Sequence, residues 1–326
     1  MLVLSRADVE AVLDLDRLVD SIAAAMADLS HGQASMPSRV AAAIPDRRAM
    51  LAAMPAFLPS AGALTTKLVS LFPENADRPT HQAVICCFDP DTGTPVALMD
   101  GTYVTATRTA AGSALATQLL ARSDSAVVSV IGTGVQARAH AQALSRLPGI
   151  EVLQIAGRHP EKVAALADDL ADRGICVNAV ASVVDAVRSA DIVCAATHSD
   201  QPVVRCDWLR PGTHVNSVGY NVAGSGEVDI ATVRDALVVV ESRAAVLAAP
   251  PSGAVELRRA LETGAIDADH IHAEIGELVA GDRSGRTDDT QLTLYKSVGV
   301  AVQDAAAAAL VLEAARNSGV GIRIEM

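Results

Sequence analysis

The sequence predicts an α/β protein: a doubly wound parallel sheet inserted into a smaller α+β domain. Three observations carry that expectation. Residues 126–240 alternate apolar strand-like runs with helix-forming stretches. A glycine turn, Gly132-Thr133-Gly134, stands at the first strand-to-helix junction of that alternation. Residues 38–100 instead carry short β-type runs separated by clusters of Pro, Gly, Asn and Asp.

Taken in order, Ser5 and Asp8 have the spacing of a capping box, and two short amphipathic helices are expected over 6–30. The runs 38–44, 49–54, 64–71, 82–88 and 95–99 read as an antiparallel sheet, with Asp89-Pro-Asp-Thr-Gly93 as one of its turns. A helix over 102–122 leads onward. Parallel strands are expected at 126–131, 151–156, 175–178, 191–196, 213–218 and 237–240, alternating with helices at 135–147, 160–172, 182–189 and 227–234. Two further helices over 253–262 and 271–280, a Gly/Asp/Arg-rich loop and a closing helix over 290–316 complete the chain. Residues 1–110 with 300–326 are expected to form one domain and 111–299 the other.

Composition narrows the chemistry. Half of the 326 residues are hydrophobic but only 2% are aromatic, so the core must be built from Ala, Val, Leu and Ile. A net charge of −12 argues against nucleic acid or an anionic membrane as a partner. The opening residues lack the basic and apolar regions of a secretory signal, and no apolar run of spanning length is free of a polar break. The five cysteines show no metal-like spacing and read as buried thiols, so no metal is expected. A cytoplasmic protein fits these features.

The run Val127–Ile131 followed by Gly132-Thr133-Gly134-Val135-Gln136-Ala137 has the G-x-G-x-x-A spacing of a Rossmann-type dinucleotide turn. Gly132 can take the sharp turn, Gly134 admits a pyrophosphate, and Ala137 keeps helix and strand close. The helix start offers N–H groups and the positive dipole end to phosphate. The next strand ends in Gly157-Arg158, where an NAD-type protein usually carries Asp or Glu. A guanidinium suits a 2′-phosphate, so NADP is expected over NAD; a solvated turn arginine is the alternative.

Lys67 stands alone in the uncharged run Ala63–Leu71, and Arg108 lies in Thr105-Ala-Thr-Arg-Thr-Ala-Ala. Cations lacking sequence-local partners suit a carboxylate site, although pairing with distant acids is the ordinary outcome for buried charge. His81, at a strand entry, is either a proton relay or a structural histidine.

These segments, with Thr80-His-Gln-Ala-Val-Ile, Asp89–Gly101, Arg210–Gly219 and Leu294–Asp304, resemble the ornithine cyclodeaminase/μ-crystallin family over nearly the whole chain, and Thr-His-Gln-Ala resembles its ketimine reductase branch. The resemblance implies a smaller domain for substrate binding and dimerisation, a homodimer, and a nicotinamide enzyme acting at the α-carbon of an amino or imino acid. It assigns the substrate carboxylate to Arg39, Lys67 and Arg108, with Arg47 or Arg48 as competitors for the first. Thr197 and Val218, at strand ends, join Gly132–Ala137, Gly157 and Arg158 as expected cofactor residues. Cyclodeaminases place an acid where this chain has Asn221, and an amide is neither general acid nor base. NADPH-dependent reduction of α-imino acids is therefore expected. The alternatives are a cyclodeaminase or alanine-dehydrogenase type of amino-acid oxidation, and a ligand-binding protein of crystallin type.

Overall fold

The computed structural model describes residues 1–75, 77–219, 224–250 and 252–325. They form two compact units, Met1–Arg108 with Val300–Met326, and Thr109–Gly299.

The first unit contains β1 (Leu2–Leu4), α1 (Arg6–Val12), α2 (Leu15–Ser30), β2 (Val40–Ile44), β3 (Ala49–Leu58), β4 (Ala63–Leu71), β5 (His81–Phe88) and β6 (Pro95–Asp100). Helix α3 (Gly101–Leu120) starts here and ends in the second unit. Ser5 caps α1 as its spacing predicts: Asp8 N donates to Ser5 Oγ (3.3 Å) and Ser5 N to Asp8 Oδ2 (2.8 Å).

The second unit holds β7 (Val127–Ile131), α4 (Val135–Leu144), β8 (Val152–Ala156), α5 (Pro160–Asp169), β9 (Cys176–Val180), α6 (Val183–Ser189), β10 (Ile192–Ala195) and β11 (His214–Ser217). Then come α7 (Ile230–Asp235), β12 (Leu237–Val240), α8 (Arg243–Val246), α9 (Val255–Glu262), β13 (Ile271–Glu274), α10 (Ile275–Ala280) and β14 (Thr293–Lys296). Helix α11 (Ala301–Ser318) and β15 (Ile322–Arg323) return to the first unit.

In the first unit the strand order is β15-β1-β6-β5-β4-β3-β2. The sheet expected to be antiparallel is mixed, because the three-residue β1 lies parallel to β6. So short a strand leaves no alternation to read. Side chains alternate across the sheet: Ala63, Thr65 and Lys67 are buried on one face of β4. Helix α11 packs on β3 and β4, and α2 packs on α11.

The second unit is an eight-stranded parallel sheet in the order β13-β12-β14-β11-β10-β7-β8-β9. Strands β8 and β9 lie to one side of β7 and β10 to the other, so the order reverses between β7 and β10. At such a reversal the connections leave in opposite directions and a crevice opens beyond the strand ends. Two expectations fail here. Residues 271–274 and 293–296 are strands, not parts of helices. Both are four-residue mixed segments, Ile-His-Ala-Glu and Thr-Leu-Tyr-Lys, too short for their periodicity to separate strand from helix. Among the described residues no helix is long and apolar enough to cross a membrane.

Candidate active site

The turn after β7 sits beside the crevice. Gly132 has φ +128°, and a Cβ on it would lie 2.5 Å from the carbonyl oxygen of Ala196, just past β10. Only glycine fits both constraints. Gly134 caps α4 without any side-chain hydrogen bond, and nothing would meet a Cβ there within 4 Å. Open space in front of an uncapped helix start is what a pyrophosphate requires, so these residues fit a dinucleotide. Ala137 is fully buried beneath the turn, Thr133 and Gln136 are half-buried and Val135 is exposed. A Cβ on Gly157 would lie 3.4 Å from Thr133 Cγ2, so the second strand's tip packs on the turn. Arg158 is exposed and forms no ion pair among the described residues. Val218 N donates to Ala195 O (3.1 Å).

In the first unit, Lys67 and Arg108 meet on one residue that sequence reasoning missed. Lys67 Nζ lies 2.7 Å from Asp304 Oδ2, and Arg108 Nε lies 3.0 Å from Asp304 Oδ1. Arg108 Nη1 also donates to Gln303 Oε1 (2.8 Å). Lys67, Arg108 and Asp304 are 2%, 3% and 1% exposed. Lys67 comes from β4, Arg108 from α3 and Asp304 from the first turn of α11, so three elements converge on one carboxylate. Burial raises the Asp304 carboxyl, but Arg108 and Lys67 outweigh it and hold it below the ordinary carboxylate value. Burial drives the Lys67 ammonium down to about 8; Asp304 opposes the shift, while Arg108 and Arg39 reinforce it. Distant pairing, the ordinary outcome for buried cations, has thus occurred. One carboxylate nevertheless answers two cations, and the buried group keeps a net positive charge.

Arg39 precedes β2 by one residue. Val40 pairs with Ala53 and Met54 with Lys67, so Arg39 is level with Lys67 across the sheet. The two competing arginines stand elsewhere. Arg47 lies in the turn at the far end of β2, and the exposed Arg48 lies 3.2 Å from Glu74. His81 pairs with Leu71, four residues along from Lys67, or about 14 Å at the usual strand rise. Its Nδ1 is 3.2 Å from Thr80 Oγ1. The structure therefore gathers Arg39, Lys67 and Arg108 but leaves His81 further along the same face. Asn221 lies outside the described residues.

A second buried cluster, also missed, stands at the crevice side of the parallel sheet. Glu227 Oε1 accepts from Thr197 N (2.5 Å) and Thr197 Oγ1 (2.7 Å). Its Oε2 accepts from Gly219 N (2.5 Å) and Ser217 Oγ (3.4 Å). Lys296 Nζ donates to Glu256 Oε1 (3.0 Å), Ser217 Oγ (3.1 Å) and Gly219 O (3.0 Å). Burial raises the Glu227 carboxyl, against the pull of Lys296 and the Thr197 bonds. Two histidines, His140 and His214, are fully buried. His140 bridges Ser113 Oγ (3.0 Å) and Gln136 O (2.7 Å). His214 is 2.9 Å from Thr293 Oγ1, and burial pushes it down to about 3, so it is neutral.

Comparison with known proteins matches residues 1–319 to the ornithine cyclodeaminase/mu-crystallin family. The ketimine reductase mu-crystallin of Mus musculus is 35% identical over 302 residues, covering 91% of each chain. The alanine dehydrogenase of Archaeoglobus fulgidus is 33% identical over 326 residues, covering 99% of this chain and 98% of its own. Among solved structures, the Δ1-pyrroline-2-carboxylate reductase of Thermococcus litoralis, in complex with NADH and L-proline, is 38% identical. It superposes with a TM-score of 0.94, covering 99% of this chain and all of its own. On sequence, fold and glycine turn together, the chain belongs to the ornithine cyclodeaminase/mu-crystallin family.

Proposed function

We propose that this protein is an NADPH-dependent reductase of cyclic or acyclic α-imino acids, with Δ1-pyrroline-2-carboxylate and Δ1-piperideine-2-carboxylate as model substrates. The observation that carries the proposal is the buried Lys67–Asp304–Arg108 group, whose surplus positive charge a substrate carboxylate completes. Arg39, at the same register, adds a third cation. Reduced nicotinamide supplies a hydride to the imine carbon, and the iminium arrives carrying the proton that the product amine keeps. The chain's own work is then to bind and orient the carboxylate, which fixes the α-carbon. A bound L-proline in the Thermococcus litoralis relative supports a product of this class. Amino-acid oxidation is the second reading, favoured by the alanine dehydrogenase relative.

Arg158 supports NADPH over NADH, being an exposed cation where a carboxylate would repel the 2′-phosphate. The partner is a small imino or amino acid, and the chain acts as a cytoplasmic homodimer.

The test is NADPH and NADH oxidation at 340 nm with both cyclic substrates. Turnover with NADPH preferred is expected. Lys67→Met leaves Asp304 and Arg108 as a balanced pair, so the chain folds while kcat/KM falls at least about 100-fold, roughly 2.7 kcal/mol. Arg158→Ala raises KM for NADPH about tenfold and leaves that for NADH unchanged. Absence of oxidation with either imine refutes the proposal, and equal effects of Arg158→Ala on the two nucleotides refute the NADPH preference.

A further inference from the structure

We infer that Glu227 is a positioning residue for the nicotinamide half of the cofactor: its buried carboxylate ties Thr197, beyond β10, to Gly219, beyond β11. Strands β10 and β11 run side by side until Ala195 pairs with Ser217. Past that pair their backbones separate, and N–H groups that the ladder no longer uses must find other acceptors. Glu227 answers two of them, Thr197 N and Gly219 N, together with two hydroxyls. Four donors converging on one group require an acceptor-only carboxylate; a glutamine would bring two donors of its own among them.

The surroundings are shaped to this carboxylate. A Cβ on Gly219 would fall within contact of the Glu227 carboxylate and the Thr197 carbonyl, and one on Gly226 would meet the Glu256 side chain. Lys296 completes the cluster by bonding Glu256, Ser217 and the Gly219 carbonyl. Glu227 N in turn donates to Glu256 Oε1 (3.3 Å). The backbone at 219 is thereby held at both its N–H and its carbonyl, and that at 197 at its N–H.

Location gives the cluster its role, resting on the assignment of a nicotinamide dinucleotide made above. The Gly132 turn touches the carbonyl of Ala196, one residue before Thr197, so the staple adjoins the phosphate turn on the β10 side of the strand-order reversal. The tip of β8 at Gly157, on the other side, packs against the same turn through Thr133. Adenosine follows the β8 side and the nicotinamide riboside the β10 side. Glu227 then affects one half of the dinucleotide and not the other.

Titration of the purified full chain with NADPH and, separately, with ADP tests this. Glu227→Gln is expected to raise the dissociation constant for NADPH at least tenfold and to leave that for ADP within twofold. A global loss of structure would weaken both together, so the split isolates positioning. Equal weakening of the two ligands, or no change in either, overturns the inference. If Glu227→Gln does not fold, Glu227→Asp is read the same way, since it keeps the charge near Lys296 and shortens the reach by one methylene. Wild-type-like binding of both ligands by Glu227→Asp overturns the inference as well. A wild-type chain that binds ADP but neither NADPH nor NADH sinks the functional proposal, and the inference with it.

Discussion

Lys67 holds its charge at the end of a buried side chain, and its neighbours set the pH at which that charge is lost. Burial, Arg108 and Arg39 bring the ammonium down to about 8 from an ordinary 10.5. If the substrate carboxylate needs that charge, KM for the imino acid rises as pH passes about 8, whereas Lys67→Arg, whose guanidinium stays ionised, keeps KM flat to pH 10. Unfolding cannot mimic the effect. The folded chain releases this proton before the unfolded chain does, so between about 8 and 10.5 the group's contribution to stability increases with pH. A KM that is flat in the wild type, with Tm steady, removes Lys67 from the carboxylate site. Lys296 shows why the sequence left the point open. It too is a lone cation in an otherwise uncharged run, Leu294-Tyr-Lys-Ser-Val, and it ends among two carboxylates, Glu227 and Glu256. Around Asp304 the ratio is inverted. The same local signal thus leads to opposite charge balances, because acids 237 and 40 residues away in sequence decide it, and no spacing rule reaches that far.

Elements defined by a turn or a cap were legible, and those defined only by their neighbours were not. Ser5 and Asp8 announced α1, and Gly132 and Gly134 announced the junction of β7 with α4, because each rests on chemistry within a few residues. Strands β13 and β14, four residues each, exist because parallel neighbours supply their hydrogen bonds, which local sequence cannot show. The two glycines of the turn also have separable tasks. Gly134 has φ −84° and open space, so Gly134→Ala is expected to keep Tm within about 2 °C while weakening NADPH binding at least tenfold. Gly132→Ala meets both a positive φ and the Ala196 carbonyl, which costs about 1–3 kcal/mol and lowers Tm by several degrees. Thermal unfolding and fluorescence titration of the two variants check the contrast. Equal Tm losses would mean that Gly134 serves the fold and not the phosphate.

At the scale of the whole molecule, a core of Ala, Val, Leu and Ile serves both units, as the scarcity of aromatics required. What the core does not use is the outer face of the first unit's sheet. Helix α11 covers one face at β3 and β4. The other carries Val40, Ala53, Leu68 and Val84 in one cross-strand row, with Leu51 on the same face two residues along β3. Val40, Leu51 and Val84 are 72%, 49% and 40% exposed. Apolar side chains placed together in this way mark an interface, and a sheet face that meets a second copy of itself closes by two-fold symmetry. The homodimer proposed above is therefore expected to form through this face. Each chain carries a net charge of −12, so the copies repel while the apolar rows attract. Added salt screens the first effect and leaves the second, so the dimer should tighten from about 50 mM to 500 mM salt. Light scattering after size exclusion is expected to give twice the chain mass, and Leu51→Asp with Val84→Asp to give the monomer. A wild type that is monomeric at tens of micromolar, or a double variant that remains dimeric, would exclude this face as the contact.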